Sequence, residues 1–261
     1  LDDAYANAAY IPEGESYPPR WQAEAAAFRD AAQSAELDVA YGPAPRQRLD
    51  LFRPEGAAKG LLVFVHGGFW RMLDKSYWSH LAAGALAKGW AVAMPSYTLC
   101  PQVRISQITR EIAAAVSHAA GAVDGPIALA GHSAGGHLVA RMLAKGLLPD
   151  AVAGRLSHVM PISPLSDLRP LMQTSMNADF KLDAAEAVAE SPIFMGARVD
   201  CPVSVWVGGA ERPAFLDQAR WLSEAWGCAL LEDAGKHHFD VVEPLAEPES
   251  EMLARLLAFE G

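Results

Sequence analysis

The stretch Gly131-His132-Ser133-Ala134-Gly135-Gly136 sets a serine between two glycines at G-x-S-x-G spacing. A hydroxyl becomes a useful nucleophile where a sharp strand-to-helix turn holds it clear of its own backbone, and a Cβ at either flanking position would collide with neighbouring main chain. A helix N-terminus beneath Ser133 would favour negative charge developing above it. The chemistry implied is acyl transfer, whose tetrahedral intermediate carries an oxyanion needing two or three N–H donors at once. His66-Gly67-Gly68-Phe69-Trp70 supplies paired glycines that let main chain approach closely. The predicted donors are the N–H groups of Gly67, Gly68 and Ala134, with His66 orienting the loop rather than acting as acid or base.

Such a serine needs a base, and the base needs an orienting carboxylate. Chains carrying this elbow run nucleophile, acid, histidine in order, which directs attention to Gly235-Lys236-His237-His238-Phe239. On spacing alone either His237 or His238 serves. Gly208-Gly209-Ala210-Glu211 brings a carboxylate just past a strand, whereas Asp217 falls about two turns into the following helix and points elsewhere. Glu211 is therefore the predicted acid.

The elements that must position these groups follow from hydrophobic pattern. Short aliphatic runs at 61–65, 90–94, 127–130, 158–162, 203–207 and 229–231 read as buried strands, preceded by candidates at 37–41 and 49–52. Helical stretches at 77–88, 105–120, 136–145, 213–226 and 244–259 lie between and after them. This alternation predicts an α/β fold in one domain: a mostly parallel sheet covered on both faces, with function at the carboxyl ends of its strands. Two segments break the alternation. Residues 1–36, with a helical stretch at 21–33, are expected to pack near the site. Residues 163–195 exceed what a crossover helix needs and are expected to cap it.

Composition narrows the partners. The 261 residues are 51% hydrophobic and 20% charged, as befits a globular chain with a large core. A net charge of −10 without a basic run argues against nucleic-acid or anionic-membrane partners. Cys100, Cys201 and Cys228 form no CxxC, so a reducing, cytoplasmic setting is the expectation. No apolar run approaches the ~18 residues of a membrane span. The chain begins at Leu1 without Met, which leaves a removed leader open. No HExxH, Cys/His cluster or phosphate loop is present, so no metal or cofactor is called for. The expected partner is a small-molecule substrate.

Together, residues 66–70, 131–136, 211–215 and His238-Phe239 resemble the kynurenine formamidase (arylformamidase) branch of the α/β-hydrolases, close to the hormone-sensitive-lipase-like esterases. Residues 167–171, 177–182 and Ser191-Pro192 are similar to that branch's cap, and 95–101 resembles a Tyr-Arg-Leu-Ala-Pro stretch shared with the esterases. The resemblance implies an α/β-hydrolase fold with a small cap, and hydrolysis of N-formyl-kynurenine to kynurenine and formate in tryptophan breakdown. Side activity on small aryl esters and a homodimer are also implied. Because the branch pattern is Asp-His-Phe, His238 takes the place of its base and His237 that of its aspartate. Glu211 stands where Asp is usual and Phe69 where Tyr is common, departures that bear on substrate identity. For the aryl part, Phe69, Trp70, Tyr97 and Phe180 are expected to form an apolar wall. Asn177 is offered as a hydrogen-bond partner for an amino or carboxylate group, with a helix cap as its alternative. Two enzyme readings result, an arylformamidase and a short-chain carboxylesterase; the third is a non-catalytic binding protein.

Overall fold

The computed structural model describes residues 1–258. Its aliphatic runs form eight strands: β1 Ala35–Ala40, β2 Arg48–Phe52, β3 Leu61–Val65, β4 Ala91–Pro95, β5 Ile127–His132, β6 Leu156–Ile162, β7 Ser204–Gly208 and β8 Ala229–Asp233. They make one sheet in the order β1-β2-β4-β3-β5-β6-β7-β8. β2 runs antiparallel to both of its neighbours, and all other pairings are parallel. Every residue of β3 to β7 is buried, because helices cover both faces.

The period-two alternation of a strand divides these side chains between two cores. Leu61, Val63 and Val65 pack with helices Ile105–Ala122, Ala134–Arg141 and Pro213–Trp226. Leu62 and Phe64 face Trp21 of helix Tyr17–Ala31 and Met252, Leu253 and Leu256 of helix Glu251–Leu256. The loops after β3, β5, β7 and β8 leave from the carboxyl edge of the sheet, and there the predicted chemistry gathers.

Three expected helices are shorter than the pattern implied, that at 136–145 ending at Arg141. Residues 77–88 resolve into 3-10 turns at Lys75–Tyr77 and Ser79–Ala82 leading into helix Ala83–Ala87. The helix expected over 244–259 is interrupted at Pro248, which holds Glu247 in extended backbone (φ −97°, ψ 111°). It restarts at Glu251, where the Ser250 hydroxyl accepts the Leu253 N–H at 3.2 Å. Phe259 lies outside the described residues. No helix among the described residues is long and apolar enough to cross a membrane.

Before β1 the chain makes 3-10 turns at Asp2–Tyr5, Ala8–Tyr10 and Gly14–Ser16. The 163–195 insertion contributes Leu165, Leu168, Leu171, Phe180, Leu182 and Ala187 to the core on the Ile105–Ala122 side.

Burial disfavours the charged form of several imidazoles, those of His66 and His137 among them. Burial pulls the imidazole of His66 down to about 4 and that of His137 to about 3. An unfolded chain holds these groups near the ordinary value of about 6.5 and takes up protons that the native protein refuses. Their contribution to stability is therefore full above about pH 6.5 and is lost as pH falls toward 4 and 3. The urea midpoint is expected to drop between pH 7 and pH 4.5. His137→Gln, which keeps a donor for the Glu190 carbonyl that His137 Nε2 reaches at 2.8 Å, should flatten that drop. An unchanged slope in this variant contradicts the assignment.

Candidate active site

β5 ends at His132, and the chain reverses into helix Ala134–Arg141 through Ser133 at φ 57° and ψ −116°. Few residues with a side chain tolerate this backbone. It holds because the Ser133 N–H donates to the Ile162 carbonyl at 2.8 Å and the His137 N–H reaches the Ser133 carbonyl at 3.0 Å. A Cβ on Gly135 would overlap the Val65 carbonyl oxygen of β3, and one on Gly131 would overlap Gly135, so the turn can close only on glycine.

The loop after β3 lies against this elbow. A Cβ on Gly67 would come within 3.1 Å of Ser133 Cβ. Gly68 (φ 105°), Phe69 (φ 49°) and Trp70 (φ 54°) make a run of left-handed backbone, and the Gly68 carbonyl accepts from the N–H groups of Arg71 and Met72 at 3.0 and 3.1 Å. His66 braces the loop from below. Its Nδ1–H donates to the Gly67 carbonyl at 2.7 Å, its ring stacks on Tyr97 at 4.4 Å, and the Tyr97 hydroxyl donates to the His66 carbonyl at 3.0 Å. Kept neutral by burial, His66 is a brace for main chain. Among the described residues, nothing accepts the N–H groups of Gly67, Gly68 or Ala134.

His238 and Glu211 meet across the loops after β8 and β7. His238 Nδ1–H donates to Glu211 Oε2 at 2.6 Å. The other carboxylate oxygen accepts the Gly208 N–H at 2.9 Å and the Ser163 hydroxyl. Both side chains are almost wholly buried. That bond fixes the imidazole tautomer with Nε2 unprotonated, the form a base needs. His237 turns elsewhere: its Nε2 meets the Tyr17 hydroxyl at 3.0 Å, and its Nδ1 accepts the N–H of Phe239 at 3.2 Å. Asp217 pairs with Arg220 on the surface at 2.6 Å, as its position inside helix Pro213–Trp226 implied.

Ser133, His132 and His238 floor a cavity of about 450 Å³. Gly67, Gly68 and Phe69 form one wall, and Trp21, Trp78 and Phe239 another. The roof is built by the N-terminal segment, with Tyr5, Asn7, Gly14, Glu15 and Pro18. Tyr5, Gly14 and Glu15 carry no spacing signal, because 3-10 turns have no hydrophobic period to read. Ser163 was missed for a similar reason: one hydroxyl at the end of a buried strand looks like any other.

The expected aryl wall needs correction. Of its residues, only Phe69 borders the cavity. Trp70, Tyr97 and Phe180 are fully buried. The left-handed run turns the Trp70 indole away from Ser133 into the core, edge-on to His137 (5.1 Å) and Phe180 (5.5 Å). Tyr97 is spent on His66. Asn177 braces its own loop, accepting the Leu182 N–H at 2.8 Å and donating to the Leu182 carbonyl at 3.1 Å. No residue of the 163–195 insertion lines the cavity. It buttresses the site instead, through Asp179 to Arg71 (2.9 Å) and Ser175 to Asp2 (2.7 Å). Among the described residues no cluster of three or more His, Cys, Asp or Glu could hold a metal ion.

A family model described as alpha/beta hydrolase fold matches residues 62–227. Kynurenine formamidase of Danio rerio is 29% identical over 85% of this chain and 80% of its own length. That of Drosophila melanogaster is 25% identical over 79% and 76%. A crystal structure from Silicibacter sp. TM1040, described as a "putative thioesterase", is 62% identical with a TM-score of 0.98, covering 99% of both chains. Esterase B from Lactobacillus rhamnosis, 18% identical with a TM-score of 0.70 over 93% and 94%, shares the fold.

The corrected role of Trp70 is testable. Its replacement by Ala should lower unfolding stability by about 3–5 kcal/mol, the usual range for deleting a fully buried large aromatic. Urea denaturation measures this, and a loss under about 1 kcal/mol would return Trp70 to the pocket.

Proposed function

Because the chain belongs to the α/β-hydrolase fold family, we propose that it is a serine hydrolase cleaving a small acyl group from an aryl amide or ester, with N-formyl-kynurenine as the favoured substrate. The observation that carries this reading is the 2.6 Å hydrogen bond from His238 to a buried Glu211, with Ser133 beside His238 on the floor of one apolar cavity. A structural histidine has no need of a carboxylate held from three sides, whereas a catalytic one does. The named activity of the curated relatives supports the formamide substrate.

The chemistry follows from the atoms in place. Ser133 Oγ attacks the formyl carbonyl carbon as His238 Nε2 takes the hydroxyl proton, and Glu211 stabilises the imidazolium that forms. The carbonyl oxygen becomes an oxyanion facing the free N–H groups of Gly67, Gly68 and Ala134. His238 returns its proton to the amine nitrogen, the C–N bond breaks, and kynurenine leaves. Water, deprotonated by the same imidazole, then attacks the formyl-serine ester and releases formate.

A carboxylesterase reading rests on one specific observation. The cavity is lined mainly by apolar groups, and no Lys or Arg borders it. Nothing there would pair the carboxylate of an amino-acid substrate, or the phosphates of an anionic thioester carrier. Short neutral esters suit it well.

Ser133→Ala should remain folded and lose turnover by a factor on the order of 10⁴ to 10⁶, and should no longer be labelled by a fluorophosphonate probe. Retained activity ends the serine reading. The kcat/KM for N-formyl-kynurenine relative to p-nitrophenyl acetate divides the two substrate classes, with preference for the formamide expected. Glu211→Gln should lower kcat strongly with little change in KM, because it loosens the imidazole tautomer without touching substrate. In the same assay His238→Ala should be nearly inactive, and His237→Ala should lose about tenfold or less; the reverse ranking would transfer the role of base to His237.

A further inference from the structure

One carboxamide stands out in the roof over Ser133. Asn7 follows the turn Asp2–Tyr5 and is 8% exposed. It borders the cavity over Ser133 and also a smaller one, of about 260 Å³, beside Glu211 and His238. Its Oδ1 has no hydrogen-bond partner. A buried acceptor left unpaired costs free energy, and nothing among the described residues offsets that cost for Asn7.

The position is held from both sides. The Asn7 carbonyl accepts the Tyr10 N–H at 2.9 Å, and two residues earlier Tyr5 is pinned by Gln218 Nε2 donating to its hydroxyl at 3.1 Å. The backbone is therefore fixed while the carboxamide turns about a broad torsion, so its oxygen can face the cavity without leaving its rotamer. The carboxylate in the roof, Glu15, is again an acceptor. Acceptors without a cationic partner suit a ligand that presents N–H groups.

In the reaction proposed above, an amide substrate has one N–H that the matching ester lacks, on the atom that departs. We propose that Asn7 Oδ1 accepts this N–H and so selects amides of aryl amines over esters. The proposal rests on the serine-hydrolase reading and names the substrate class of that site. Before attack, the hydrogen bond orients the amide plane over Ser133. When the tetrahedral intermediate collapses, His238 delivers its proton to the same nitrogen, the C–N electron pair stays there, and the amine leaves with its original N–H still directed at Asn7. An ester at this site would leave the acceptor unpaired, which is how a site built for an N–H rejects an analogue without one.

The test takes kcat/KM for 4-nitroformanilide and for p-nitrophenyl acetate in the wild type, Asn7→Leu and Asn7→Asp, each expressed relative to the wild type on the same substrate. Leu shares the branched four-atom skeleton of the Asn side chain and removes the unpaired acceptor, so the variant is expected to fold, and its ester turnover reports that directly. In Asn7→Leu the anilide should lose on the order of 10- to 100-fold more than the ester. Asn7→Asp, which keeps an acceptor oxygen, should hold the anilide-to-ester ratio within about threefold of the wild type. Equal losses on both substrates in Asn7→Leu would overturn the proposal. Wild-type turnover of the ester without turnover of the anilide would overturn it too, while leaving the serine mechanism standing. Failure of the underlying reading looks different: the wild type would turn over neither substrate and would escape the fluorophosphonate probe.

Discussion

The backbone at Ser133 is the constraint on which the site depends. A non-glycine residue at φ 57° and ψ −116° carries strain of about 1–3 kcal/mol, and it persists because three adjacent strands over-determine it. β5 delivers the residue, β6 accepts its N–H through Ile162, and β3 lies so close that only glycine fits at position 135. The same closeness sets the rest. With β3 jammed against the elbow, the loop leaving β3 passes Ser133 at Gly67, so two backbone donors arrive beside the N–H of Ala134, braced from below by His66.

β6 performs a second service one residue further along. Ser163, itself at φ 47°, sends its N–H to the Trp206 carbonyl at 2.7 Å and its hydroxyl to Glu211. A buried carboxylate is tolerable when its lone pairs are taken. Here a hydroxyl, the Gly208 N–H and the His238 imidazole take them, with no arginine or lysine in contact. The strand end that anchors Ser133 thus also sets the angle of Glu211. Their separation is controlled by strand spacing in the sheet, the least deformable distance in the molecule.

This explains why much of the site is legible in the sequence. Ser133, Gly67, Gly68, Glu211 and His238 each belong to a short peptide at a strand end, and the order of those peptides along the chain brings them together in the parallel sheet. Trp70 and Tyr97 misled because aromatics near a strand end look like pocket walls. The left-handed run from Gly68 to Trp70, which decides where the indole goes, has no signature in residue type, since bulky residues avoid that backbone. The roof was legible only as a segment. Tyr5, Asn7 and Trp21 acquire their meaning from turns and long-range packing, and periodicity reports neither. Pro248 is a helix break legible in residue type, inside an apolar pattern that continues beyond it.

Floor and roof also differ in how they are held. The floor rests on strands with every residue buried, where opening would cost much of the global stability. The roof is tied by Asp2 to Ser175, Asp3 to Arg212 and Arg20 to Glu243. These contacts lie largely at the surface, where an ion pair is worth about 0–1 kcal/mol. Deeper contacts reinforce them at Tyr5, Trp21 and the Tyr17–His237 hydrogen bond. Ser133 and His238 are 2% and 3% exposed, so a substrate must reach them through space the roof encloses. Local opening of residues 1–16 breaks far fewer buried contacts than any movement of the sheet. The proposed recognition thus falls on the part that yields most readily, and the proposed bond-breaking on the part that yields least. His237 joins the two: its ring meets the roof at Tyr17 while its backbone leads directly into the base, so movement of the roof is felt one residue from His238.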